Sequence, residues 1–371
     1  MKRFSIIALI LILLIAYSCS KKETKGEGAA EKENGVIVIK NPKEPLYKDT
    51  HFSLIEDLVI GKAVGEEEYM FSHLRFLTVD DEGNIYTSDD SDMPLKVYDK
   101  NGKFLRSISR KGQGLGEIGS SYTIQITSDN ELLVYDVRNR KILFFTLEGI
   151  HLRSKDLKNY SPLQIYSDSR QNYYILDSVK IPNAESYNIV RLDENMNFVL
   201  NLIEYPVPPP PKTFLAFFTF FYFKVLPDDN LLYGDSKNYE LQILNPEGRI
   251  LKRIIKEYDP IPVTKKDKEF RRRNMPKGQK VEFPSHHPAF YGFFLDDTGK
   301  IYVRTWQEPL DKERYLYDVF NYEGKFMAQI PLNIRPQVWK NSKIYTIEED
   351  EEGFHQIKRY QIIWDLMKQH E

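Results

Sequence analysis

From Leu74 to Ser109 apolar and polar positions alternate in short runs, and each run stops at a cluster of Gly, Asn and Asp. FLTV ends in Asp80-Asp81-Glu82-Gly83, and NIYTS follows. The polar segment Asp89 to Pro94 leads to LKVYD, then Lys100-Asn101-Gly102 leads to KFLRSIS. β-Branched and aromatic residues at a spacing of two, punctuated by turn formers, predict four short antiparallel strands in a meander.

The same unit recurs. Its second-strand motif stands at Asn84-Ile85-Tyr86, Glu131-Leu132-Leu133, Asn172-Tyr173-Tyr174, Asn230-Leu231-Leu232, Lys300-Ile301-Tyr302 and Lys343-Ile344-Tyr345. Middle residues are separated by 47, 41, 58, 70 and 43 positions. A period of forty-odd with variable loops fits four-stranded propeller blades, and no stretch shows the 3.6-residue period of a helical solenoid. The turn before the fourth strand supplies a second landmark at Gly102, Gly149, Met196, Gly248 and Gly324. It lies 17, 17, 23, 17 and 23 residues beyond the first. The two longer spacings share a six-residue expansion between the second and third strands.

Six second strands but five such turns leave one blade short of an outer strand. The chain ends near a third strand in HQIKRYQIIWDL, so the N-terminal run Phe52 to Gly61, FSLIEDLVIG, is expected to fill the gap. Such closure removes two exposed sheet edges. The predicted fold is all-β, a six-bladed β-propeller of four-stranded antiparallel blades closed by pairing of N- and C-terminal strands. Seven blades is the alternative, with Val36 to Ile39 opening the extra one.

Leu74 to Gly116 resembles an NHL repeat, with VDDEGNIYTSD, LKVYDKNGKFLRSI and GQGLGE in order. YDPIPVT (258–264), FFLDDTGKIYVRT (293–305) and YDVFNYEGKF (317–326) resemble segments of bacterial six-bladed propeller lipoproteins. The resemblance spans most of residues 50–365. It implies the fold and leaves function open, since this fold carries binding modules, lyases and lactone hydrolases alike.

Met1-Lys2-Arg3 precedes an apolar run from Phe4 to Ala16, which is short for a membrane span and suits an export signal. The run ends in Ala16-Tyr17-Ser18-Cys19, and Cys19 is the only cysteine. The pattern resembles a lipobox, with Ala16 and Tyr17 departing from it. It implies a signal peptide over 1–18, lipidation of Cys19 and a cell-envelope location, with Ser20 pointing to the outer membrane. Lys-, Glu- and Gly-rich residues 19–35 read as a disordered tether, and 36–371 as the propeller. Removing 1–18 moves the formal charge from −2 to −4, which gives bulk nucleic-acid binding no support.

Four stretches invite chemistry. Arg110 to Glu117, RKGQGLGE, lacks the spacing of a phosphate loop and reads as a blade connector. Pro206 to Phe223 is a proline spacer followed by more aromatic surface than one strand face can bury. The run reads as a strap across the propeller or an apolar lip, with Phe221 to Val225 as an inner strand. An insertion over about 258–288 carries the helix candidate Lys265 to Arg273 and then His286-His287. Adjacent histidines on a strand point to opposite sides, so they do not make a metal pair. Glu348 to Gly353 lacks calcium-loop spacing and reads as a solvated turn.

These readings lead to a membrane-tethered, non-catalytic binding module for an envelope protein, peptide or glycan, held through a lipid anchor. Residues at the starts of inner strands are the expected contact set: His73, Arg75, Tyr122, Tyr222, His286 and Tyr291. No cofactor is predicted. The alternative is a metal-dependent lyase or lactone hydrolase with calcium or zinc in the central channel. A structural envelope protein docked through the aromatic strap is a third possibility.

Overall fold

The computed structural model describes residues 29–89, 95–157, 159–181, 184–207, 213–276, 278–307 and 315–366. Cys19 and the signal peptide lie outside the described residues. Six four-stranded antiparallel units are arranged as propeller blades. Blade one runs Leu74–Val79, Ile85–Asp89, Leu95–Tyr98 and Phe104–Ile108. The inner strands of blades two to six are Ser121–Ile126, Gln164–Ser167, Phe221–Val225, Gly292–Leu295 and Pro336–Lys340. All six second-strand landmarks fall on second strands.

Blade six is closed across the termini. Thr50–Ile60 pairs antiparallel with His355–Leu366, from Ile357 opposite Ile60 to Leu366 opposite Thr50. The hydrophobic cores lie between blades: Ile60, Tyr345 and Ile357 of blade six pack with Leu74, Leu77 and Ile85 of blade one.

Val36–Asn41 does not begin a seventh blade. It adds in parallel to the outer strand of blade four, Ile250–Lys256, with Lys40 opposite Ile255. Ala29–Glu33, expected within the 19–35 tether, instead folds back on Val36–Asn41 as a hairpin. The cause is local. Asn34 and Gly35 both take positive φ (48° and 88°), the backbone that Asn-Gly adopts in a two-residue turn. Asn41 then fixes the appended pair: its buried amide donates to Gly324 O (2.9 Å) and accepts from Phe326 N (2.8 Å) of blade five.

Two carboxylate devices explain the repeated sequence. Before the second strand, Asp80 accepts from Asn84 N (2.7 Å), Asn84 Nδ2 (2.8 Å) and the Tyr86 hydroxyl (3.2 Å). Asp168 does the same with Asn172 and Tyr174, and Asp296 with Lys300 N and the Tyr302 hydroxyl. At the end of the second strand a second acid clasps the incoming connector. Asp89 accepts from Ser72 N and His73 N, Asp136 from Gly119 N and Ser120 N, and Asp177 from Ser161 N. Each clasp satisfies backbone donors of the connector, of which Gly119 N is buried.

The two expansions are built differently. In blade three they lengthen the hairpin strands Tyr173–Ile181 and Ala184–Leu192, whereas in blade five they separate Ile301–Arg304 from Tyr315–Phe320.

Candidate functional site

The insertion between blades four and five is held shut at its base. Val263 N donates to Ser285 O (3.0 Å) and His287 N to Ile261 O (2.8 Å), so its two stems pair before the chain turns into blade five. Between the stems, helix α1 spans Lys265–Arg273. Thr264 caps it: the Asp267 N–H donates to Thr264 Oγ1 (3.2 Å) while the Asp267 carboxylate accepts from Thr264 N (2.7 Å). The aromatic strap joins this insertion, because Phe214–Leu215 pairs in parallel with Val281–Glu282.

Strap, insertion and blade five enclose a cavity of about 1360 Å³. Phe217, Phe220, Tyr222, Tyr291, Trp306 and Phe270 supply much of its wall. Phe217 holds a left-handed backbone (φ 52°), which is unfavourable for a bulky side chain. That conformation brings its ring edge-on to His287 (4.6 Å between centroids) and to Trp306 (5.6 Å). His287 itself stacks on Trp306 at 4.3 Å and 17°.

The wall is also cationic. Lys266, Arg271, Arg273, Arg304 and Arg335 line it, against the single carboxylate of Asp267. Asp267 is engaged: besides Thr264 it accepts from His287 Nε2 at 3.2 Å. Burial raises the pKa of Asp267, but the Thr264 hydrogen bonds and His287 outweigh it and hold the group below its ordinary value. An ionised Asp267 accepts only, so His287 Nε2 carries the proton in this contact.

Arg304 lies over two tyrosine rings, 4.1 Å from Tyr291 and 3.7 Å from Tyr315. Cation–π contact orients the guanidinium without neutralising it. Among the described residues no carboxylate pairs with it, and its Nε is buried without a hydrogen-bond partner. Arg271 Nε and Trp306 Nε1, both on residues lining the cavity, are unpartnered in the same way. Burial, followed by the neighbouring Tyr291, pushes the Tyr222 phenol up to about 12, with Arg304 pulling the other way, so Tyr222 stays a neutral donor near neutral pH. The arrangement can receive negative charge beside flat, apolar surface. Among the described residues, no group of three His, Cys, Asp or Glu is placed to hold a metal.

Of the expected contact residues, Tyr222 and Tyr291 meet in this cavity. His286 does not line this cavity; its exposed ring pairs with Ser285 Oγ, and His287 is the histidine on the wall. His73 and Arg75 are exposed on blade one, with His73 5.1 Å from the His355 ring. Tyr122 is the second residue of the inner strand of blade two. The contact set is therefore dispersed around the ring, and the cavity lies between two blades.

Arg304 and Trp306 were not singled out from sequence, although a signal exists. Four residues after the landmarks of blades one to four stand Asp89, Asp136, Asp177 and Asp235, and blade six has Glu348; blade five has the uncharged Thr305 there, flanked by Arg304 and Trp306. Where the connector clasp is dropped, a different surface is built.

A family model, DUF5128, described as a 6-bladed beta-propeller, matches residues 26–213. No curated protein matches the sequence. A solved protein from Bacteroides fragilis, named as exported, is similar with TM-score 0.56 and 10% identity, covering 88% of this chain and 99% of its own. A member of the DUF4221 family from Bacteroides vulgatus gives 0.52 and 10%, covering 84% and 98%. Virginiamycin B lyase from Staphylococcus aureus gives 0.44 and 12%, over 84% and 100%. At these identities the first two likenesses speak to fold, and the third carries no argument about activity.

Proposed function

The chain belongs to the DUF5128 family of six-bladed β-propellers, and on that premise we propose that it is a non-catalytic binding module of the cell envelope, tethered through Cys19. Its ligand is an anion that carries ring or other apolar surface, and it sits in the cavity between blades four and five. One observation carries this reading: Arg304 is clamped over Tyr291 and Tyr315 with no acidic partner among the described residues. A cation so oriented, with no carboxylate paired to it among the described residues, is a preorganised anion site.

The second reading is a lyase or lactone hydrolase. The Asp267–His287 pair favours it, since a carboxylate that fixes one imidazole nitrogen prepares the other as a base. His287 Nδ1, however, is sealed within the wall rather than open to a substrate, which supports a positioning role for the pair.

The test is thermal unfolding and calorimetric titration of the full chain with glycerol phosphate and with benzoate. The expected result is stabilisation of the native protein that Arg304→Gln removes. Equal stabilisation of both proteins, or none of either, overturns the reading.

A further inference from the structure

The chain enters the described fold beside the cavity. Ala29 pairs with Lys40, and Lys40 with Ile255, so the first described strand is two strand spacings, about 10 Å, from the end of blade four's outer strand. The insertion departs just beyond, and Glu257 N donates to Asn41 O at 3.0 Å. Only nine residues separate Cys19 from Ala29, a reach of at most about 35 Å. An anchor at Cys19 therefore keeps the blade-four rim, and the insertion next to it, close to a bilayer.

The insertion has the chemistry for that neighbour. Helix α1 carries six basic and two acidic residues, and Lys265, Lys266, Glu269, Phe270, Arg272 and Arg273 are exposed. Phe270, 63% exposed, projects from this cationic helix, and Phe218 of the strap is 53% exposed. Both line the cavity mouth. Basic residues around exposed aromatic rings are the complement of an anionic interface, where rings settle among headgroups and lysines and arginines meet phosphate.

We propose that α1 and the strap dock on the anionic surface of the anchoring membrane, and that the anion received by the cavity is a phosphate-bearing lipid headgroup. This deepens the binding-module reading and rests on its lipid anchor. The docked state turns the blade-four and blade-five side toward the bilayer and leaves blade two, across the ring, remote from it.

The experiment uses the acylated full chain in vesicles of phosphatidylcholine, with and without phosphatidylglycerol. Glu269→Cys on α1 and Glu148→Cys on blade two each carry a fluorophore, and a headgroup-attached quencher reports proximity. Quenching at position 269 that appears with phosphatidylglycerol, weakens with salt and is absent at 148 is the expected result. Lys265→Glu and Arg272→Glu, both on the exposed helix, each weaken the association about fivefold. Equal quenching at the two positions, or no response to phosphatidylglycerol, overturns the proposal. Mass analysis of Cys19 separates the failures, because an unacylated cysteine removes the anchor and this inference together. Glycerol phosphate binding that Arg304→Gln abolishes, in a chain whose α1 ignores the anionic vesicles, leaves a soluble anion as the ligand and overturns only the membrane assignment.

Discussion

Asp267 accepts a hydrogen bond from His287 Nε2 across 3.2 Å, so the first turn of an exposed helix is tied to the segment leading into blade five. Removing the negative charge loosens both the helix cap and the imidazole. Asp267→Asn is expected to cost about 1–2 kcal/mol, the range of a lost cap or charged hydrogen bond. Hydrogen exchange should show the loss concentrated in residues 258–288, with blades one to three unchanged. Uniform loosening of all blades would contradict this.

The same contact sets a pH dependence. The Asp267 pKa lies below its unfolded value, near 3.9, so the group stabilises the native insertion above that pH. That contribution disappears as pH falls through the lower folded value. Hydrogen exchange over residues 258–288 should therefore show local stability falling as pH drops below about 4. The fall should be missing in Asp267→Asn.

Arg304 tests geometry as well as charge. Arg304→Gln should weaken anion binding by about tenfold or more, equivalent to one charged hydrogen bond. Arg304→Lys should restore only part of it, because an ammonium cannot spread over the Tyr291 and Tyr315 rings as a planar guanidinium does. Calorimetric titration with glycerol phosphate separates the three proteins. Full rescue by lysine would mean that charge alone acts there.

The connector clasps are structural. Asp136, fully buried, accepts from Gly119 N (2.7 Å), Ser120 N (3.1 Å) and Asn139 Nδ2 (2.6 Å). Asp136→Ala strands those donors and should cost about 3 kcal/mol, read as a lower urea midpoint. Anion binding should survive in the folded fraction. A change below about 0.5 kcal/mol would show that water takes over the donors.

The fold was legible because local chemistry repeats: Asp80, Asn84 and Tyr86 of blade one form a unit that recurs at Asp168 in blade three and Asp296 in blade five. The cavity was less so. Tyr222 and Tyr291 could be placed by counting to the starts of inner strands, and helix α1 was readable from its charged run. His287 could not be told from His286, because the pairing of the insertion stems decides which ring turns inward. Arg304 ends a second strand, outside the positions used to choose contacts, and Tyr315 reaches it from the neighbouring third strand only after the blade-five expansion. The Asn34-Gly35 hairpin was written plainly in the sequence. The polar composition around it favoured a tether, whereas the blade-four edge available for pairing makes it a strand.

Closure of blade six has a consequence for how the molecule is made. Thr50–Ile60 leaves the ribosome early, but its partner His355–Leu366 follows about 300 residues later, a separation that makes this pairing slow to form. Until then the first strand has no native neighbour on that side, and every earlier blade belongs to an open arc. The last dozen structured residues therefore act as a latch. A nascent chain interrupted before them is not a smaller propeller but a ring that has never been joined.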